Sequence, residues 1–468
     1  MQRAATHILA VVSRVIFIGL SIQILMGVFW MFGSFTGVLQ FGESDFYVEV
    51  SKTLLCDEYT GILYPVLLLF ARAAEGLLSI PFFGVMYVLQ LGFAGYAAHR
   101  FFQSIHKTGR FWDVWSSMAM LTVPMAMQCH MAILPHSLTS SCIFLELSFV
   151  FEAVRQGQLK APQLLKTAAF WLMAALLMPE YLYLGAVPVV FFLLYSAVRL
   201  WKREKISIVY NFILVCAFAG LILGACSLSQ VEGSYGKMHK SIPSALVCRM
   251  AWTCLGETYA YWPEDIKTCM DGEKITACIT YADNMVRVFG PTVELSVGKE
   301  RAEELYREVA EAAWQVYCQR VKREILLDAA AYTVSPAALQ LQLMGRAYES
   351  YSARNYEIMR EKLPRLTKYY VNFNSWFFVA GLILAATGQV IYMFLALSRK
   401  NKITMRSISC VVCCLFLGAG LVGWYTMQGA GIMDYKNSVP VTLLWTAWMI
   451  LMTEKGKMYA YLDNGKIQ

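Results

Sequence analysis

The stretch VIFIGLSIQILMGVFWMFGSFTGVL (residues 15–39), followed at once by QFGESDFY (residues 40–47), decides the fold. A run of that length without a charge is what an α-helix needs to cross about 30 Å of hydrocarbon, and it lacks the alternation a strand would show. It is too long for the apolar core of a signal peptide, and no small-residue cleavage site follows it, so it reads as a retained span. The polar segment after it, Gly42-Glu43-Ser44-Asp45-Phe46-Tyr47, reads as a loop held at the membrane surface. Carboxylates kept there are costly, which marks the segment as a place for chemistry.

Working outward, further uncharged runs follow at Leu77–Ala98, Val114–Leu145, Thr167–Val198 (interrupted by Glu180), Ile206–Val231, Phe373–Ser398, Ser407–Met433 and Ser438–Thr453. Two of them are longer than one span needs, with Pro135 and Pro179 near their centres. Each is expected to fold as a tight helical hairpin, because proline ends a helix and frees backbone groups that need partners. The expectation is an all-α polytopic membrane protein of about ten transmembrane helices. Composition agrees: 58% of the 468 residues are hydrophobic and 15% charged, against about one-quarter charged in soluble domains.

Lysine and arginine cluster at Arg100, Lys107 and Arg110; at Arg155, Lys160 and Lys166; at Arg199, Lys202, Arg203 and Lys205; at Arg399, Lys400, Lys402 and Arg406; and at Lys455 and Lys457. With the hairpin count every cluster falls on the cytoplasmic side, together with both termini. If the hairpins were single kinked spans, the cations of the 152–166 loop would face the wrong way. The formal charge of +8 thus implies anionic lipid headgroups as neighbours and argues against nucleic acid.

Three parts emerge: a membrane module over residues 1–231, a mixed-charge extracytoplasmic domain over 232–372, and a C-terminal membrane segment over 373–468. Within the insert, Leu305, Val309, Ala312, Val316 and Ile325 recur at helical spacing and predict a helix over 299–331, with a second over 337–351. Cys56, Cys248, Cys254, Cys269, Cys278 and Cys318 fall on the outward side, either as disulfides or as small apolar residues. Cys410, Cys413 and Cys414 share a helical face inside an apolar run, where packing explains them better than metal binding. No internal repeat, phosphate-cradling glycine loop or nucleophile elbow is present.

The order of elements carries a resemblance. A first span, an outward loop with an acidic residue just past the membrane, juxtamembrane amphipathic segments and six further spans before an external domain resemble the GT-C superfamily of polyprenyl-phosphate-sugar-dependent membrane glycosyltransferases. The resemblance covers residue 1 to about residue 230. It implies a carboxylate base in the first loop, at Asp45 or, less well matched, Glu43, and Tyr64-Pro65 resembles the family's entry to its second juxtamembrane helix. Ser44 between the two acids departs from the commoner paired-acid form. The implied partners are a polyprenyl-phosphate-sugar donor, a saccharide, lipid or protein acceptor, and membrane lipids.

The chemistry stands on its own terms. A lipid phosphate is a good leaving group, so transfer needs a base for the acceptor hydroxyl and a cation at the departing phosphate. Asp45 and Glu43 are the candidate bases, although capping a helix that starts near Tyr47 is the plainer role for an acid there. Arg72, on an expected interfacial helix over Leu67–Ile80, could hold the phosphate or snorkel to headgroups. His130 and His136 flank one outward turn and Glu180 lies in the other, where they would orient an acceptor or a divalent ion; their spacing is no zinc signature, and hydrogen-bonded turn residues describe them as well. Lys237, Lys240 and Arg249 form a basic patch that would attract phosphate. Trp252, Tyr261 and Trp262 suit sugar stacking and equally suit a core. No cofactor is fixed by these residues, and a divalent metal ion stays open as one. Two other classes remain: a flippase for lipid-linked saccharide, in which Glu146 and Glu180 are the acids within the runs, and a noncatalytic scaffold.

Overall fold

The structure is a computed structural model that describes residues 42–54, 61–105, 110–156, 161–179, 181–182, 262–270 and 290–298, with 17–29, 413–422, 442–447 and several shorter stretches. Among these the chain is helical, without a strand. The helices are α1 (Gly42–Thr53), α2 (Leu63–Leu78), α3 (Phe82–Ile105), α4 (Arg110–Leu121), α5 (Pro124–Met131), α6 (His136–Gln156), α7 (Ala161–Leu177), α8 (Glu264–Cys269) and α9 (Gly290–Val297).

Several boundaries differ from the sequence expectation, each for a local reason. Gly42–Tyr47 is not a loop but the opening of α1. Ser44, Tyr47, Val50 and Ser51 are buried at helical spacing, so packing of one face outweighs the turn-forming tendency of Gly42 and Ser44. The interfacial helix expected over 67–80 begins earlier, at Leu63, and ends where Ser79 turns left-handed, with its N–H donating to the Glu75 carbonyl. Pro81 follows, and the next helix continues to Ile105, beyond the end of the uncharged run. The Val114–Leu145 run is broken twice: Pro124 has no N–H to donate and holds Val123 extended (ψ 126°), so α5 separates from α4 before the expected turn at Pro135.

The long helices form one packed unit. Phe101 of α3 lies 5.1 Å from Phe144 and 5.7 Å from Phe151 of α6. The Arg100 guanidinium donates to Glu152 of α6 at 2.8 Å and stands over Phe149. Lys166 of α7 stands over the same ring, 5.4 Å from its centroid. These contacts bring the C-terminal parts of α3 and α6 and the N-terminal part of α7 together at one end of the bundle. Gln23 donates to the Ala119 carbonyl, and Phe17 stacks on Trp115 at 5.2 Å, which seats the 17–29 helix against α4.

Among the described residues no helix is long and apolar enough to cross a membrane. The reason lies in α3 and α6, which have 24 and 21 residues but carry polar side chains. Gln90, Ser137, Thr139, Ser140, Ser141, Glu146 and Ser148 lower their apolarity, and all are buried. Large apolar side chains take the outside instead: Phe70 is 67% exposed, Leu77 84%, Val88 63% and Leu165 70%.

Of the expected external domain, α8, α9 and helical residues at 300–302, 304–305 and 308–309 are described. Those last residues fall within the predicted 299–331 helix, and Leu305 and Val309 are buried as its spacing required. The 337–351 helix lies outside the described residues. Cys269 is a free thiol, Cys414 is buried in the hydrophobic core and Cys413 packs against it; Cys56, Cys248, Cys254, Cys278, Cys318 and Cys410 lie outside the described residues.

Candidate functional site

Glu43 and Asp45 stand in the first turn of α1, where the unpaired N–H groups of a helix favour negative charge. Their carboxylates are outside what the structure describes. The placement corrects the capping role: the helix starts upstream of both acids' expected cap position near Tyr47, so Asp45 is a helical residue.

α1 is clasped to α2 at two points. The Tyr47 ring meets the Tyr64 ring edge-on, with centroids 5.3 Å apart and planes at 80°. Arg72 Nη2 donates to the Val48 carbonyl at 3.2 Å while its guanidinium lies 5.2 Å from the centre of the Phe82 ring. Arg72 is half-buried, and the one bond given to Val48 leaves further donors of its planar fork for other partners. Its first visible role is to hold α1, α2 and the start of α3 together.

Tyr64 is fully buried, and its hydroxyl donates to Gln90 Oε1 at 2.9 Å. Burial, and secondarily the nearby Tyr47, hold its phenol well above the usual value. It serves the interior of the bundle and presents nothing to a ligand from outside. Gln90 Nε2 in turn faces the carbonyls of Cys129, His130 and Ala132 at 3.4, 3.1 and 2.9 Å. These belong to the C-terminal end of α5, where helical carbonyls have lost their intrahelical partners.

The two histidines are interior residues. His130 Nδ1 is 2.7 Å from Ser137 Oγ, with the donor set by the imidazole tautomer. His136 is 1% exposed. The turn between them is thus part of the core, because residues 129–153 are buried almost without interruption. A surface pair awaiting an acceptor is not what the fold makes of them.

The end of α7 joins the same region. Gly61, just before α2, meets the Leu176 and Leu177 carbonyls, and Trp171 Nε1 donates to the Leu182 carbonyl at 3.2 Å. Glu180 itself lies outside the described residues, but Pro179 and the buried Tyr181 on either side of it follow directly on α7. α1 and the end of α7 are thereby joined to α2, while α2 and the end of α5 are bonded to Gln90 in the N-terminal half of α3. Arg100 and Glu152 mark the other end, 18 residues along α3 from Phe82, or roughly 27 Å.

In the segment expected to be external, Trp262 is 3% exposed, so its ring is used in packing and is no surface platform. Lys237, Lys240, Arg249, Trp252 and Tyr261 lie outside the described residues. Among the described residues no group of three or more histidine, cysteine or acidic side chains is placed to hold a metal ion. Sequence reasoning missed Gln90 and Ser137. The signal for Gln90 was present: a lone amide inside an apolar run must find its partners within the protein.

No family model, curated protein or solved structure matches the chain.

Proposed function

We propose that the protein is an integral-membrane glycosyltransferase that moves a sugar from a polyprenyl-phosphate-linked donor to a glycan, lipid or protein acceptor on the extracytoplasmic face, with Asp45 as base and Glu43 as its helper or substitute. The observation that carries the reading is the clasp of α1 on α2. It keeps an acid-bearing helix start and an arginine with spare donors on one side of a helical bundle, away from the Arg100–Glu152 end. The distribution of side chains supports a lipid setting, since amides, hydroxyls and a carboxyl are inside while leucine, phenylalanine and valine are outside. The exposed Leu69, Phe70 and Leu77 of α2 suit a helix lying in the interface.

In this reading the acid removes the acceptor's proton as the sugar leaves its phosphate, and Arg72 compensates the charge that develops there. Asp45→Asn is expected to lower transfer by about two to four orders of magnitude, the typical weight of a general base, while leaving folded yield unchanged. Transfer from a radiolabelled polyprenyl-phosphate sugar in proteoliposomes, run beside Glu43→Gln, measures it. Full transfer by Asp45→Asn with loss in Glu43→Gln moves the base to Glu43; full transfer by both removes the proposal.

A second reading, a flippase for lipid-linked saccharide, is favoured by one observation: Glu146 is a buried carboxyl in the middle of α6 with an oxygen that has no hydrogen-bond partner. Translocation of labelled lipid without any bond made or broken would select it.

A further inference from the structure

Gln90 is 1% exposed and sits in the N-terminal half of α3. Its amide works in two directions. Oε1 receives the Tyr64 hydroxyl from α2, and Tyr64 carries the ring against which Tyr47 of α1 rests. Nε2 has two hydrogens for three carbonyls, those of Cys129, His130 and Ala132, so at least one hydrogen is shared. The His130 ring continues the connection to Ser137 on α6. One side chain therefore bonds both to the helix pair bearing Glu43 and Asp45 and to the turn bearing His130, two parts that are far apart in sequence and carry no described bond to each other.

We propose that Gln90 is a positioning residue, whose amide fixes the α1–α2 pair relative to the end of α5. The inference rests on reading α1 as the helix that carries the site, and it adds how that helix is held. An apolar side chain at position 90 strands the Tyr64 hydroxyl and the α5 carbonyls in a buried place where water cannot replace the amide. Both partners then loosen. Because each half is tied to the same amide, a ligand that engages α1–α2 is also felt at the α5–α6 turn.

Hydrogen–deuterium exchange of the full-length protein in nanodiscs, followed by mass spectrometry, tests this without any substrate. Gln90→Met keeps the length of the side chain and removes both bonds, whereas Tyr64→Phe removes only the α2 side. Gln90→Met should speed exchange by about tenfold in the peptides covering 42–78 and 124–131 while leaving 161–177 unchanged. Tyr64→Phe should speed 42–78 alone. Equal acceleration in every helix would reduce Gln90 to a general core residue, and no acceleration in 42–78 with either variant would overturn the proposal. Should Gln90→Met fail to fold, the regional pattern of Tyr64→Phe decides. Loss of the glycosyl-transfer reading would instead show in the Asp45→Asn assay, which these exchange rates do not touch.

Discussion

Gly61 and Leu176 meet backbone to backbone: a Cβ at Gly61 would fall 2.1 Å from the Leu176 carbonyl oxygen and 2.4 Å from that of Leu177. The start of α2 is therefore seated on the last turn of α7, and only a residue without a side chain allows the approach. A clash with backbone cannot be relieved by a rotamer change, so Gly61→Ala must push the two helices apart. The expected cost is at or above the upper end of the usual 1–3 kcal/mol for overpacking, about 3 kcal/mol. A thermal midpoint for Gly61→Ala within a degree of the parent, in the same detergent, would show that α2 does not sit on α7.

The joint between α2 and α3 stores strain at Ser79, which has φ 55° and ψ 26° and is followed shortly by Pro81. A residue with a Cβ bears roughly 1–2 kcal/mol in this left-handed conformation. Ser79 caps α2 through its backbone N–H to the Glu75 carbonyl at 2.9 Å, a bond that glycine keeps. Ser79→Gly should stabilise the protein by about 0.5–1 kcal/mol, part of the strain relief being offset by the greater freedom of glycine in the unfolded chain. Leu54, at φ 55° after α1, is the companion case. A lower denaturation midpoint for Ser79→Gly would mean that the serine hydroxyl matters more than the dihedral.

Glu146 is 6% exposed, with one carboxyl oxygen lacking a partner. A buried polar atom in that condition weakens a fold, and replacing it with an apolar side chain of similar length is commonly neutral or stabilising. Glu146→Met is thus expected to leave stability unchanged or raise it by up to about 2 kcal/mol. Glu146→Ala should fall below the parent, since it adds a cavity. Thermal melts of both variants check the order. A strong destabilisation by Met would reveal a partner that needs the carboxyl, and it would lend weight to an ion pathway through α6.

Much of this arrangement was legible in the residues. Uncharged runs and prolines were enough to foresee that the described residues are helical and that the 114–145 run breaks at Pro135, though not the second break at Pro124. Arg100 of α3 and Lys166 of α7 meet on the Phe149 ring of α6, a contact among three helices that no local pattern foretold. What was not legible depended on contacts between distant segments. The Gly42–Tyr47 stretch reads as a loop because its residues favour turns, yet tertiary burial of Ser44 and Tyr47 makes it helical. Spacing alone put His130 and His136 at an outward turn; it could not show that α3 and α6 close over them. The role of Gln90 needed three carbonyls from a segment about forty residues away, information that no local pattern holds.

Tyr64 supplies a pH dependence whose sign follows from its burial. The fold favours the neutral phenol, so the folded value lies above the usual one of about 10. Below that usual value the phenol is protonated in both folded and unfolded chains, and its contribution to stability is fully present. As the pH climbs past about 10 the unfolded chain ionises first, which draws the equilibrium toward unfolding. The contribution is lost as the pH approaches the raised value of Tyr64 itself. Tyr64→Phe should be less stable near neutral pH by about 1–3 kcal/mol, because Gln90 Oε1 loses its donor. Its midpoint should then fall less steeply than the parent's between about pH 9 and about pH 11. Parallel alkaline slopes for the two proteins would mean that Tyr64 is not held neutral by the fold, and that its bond to Gln90 is replaced by water.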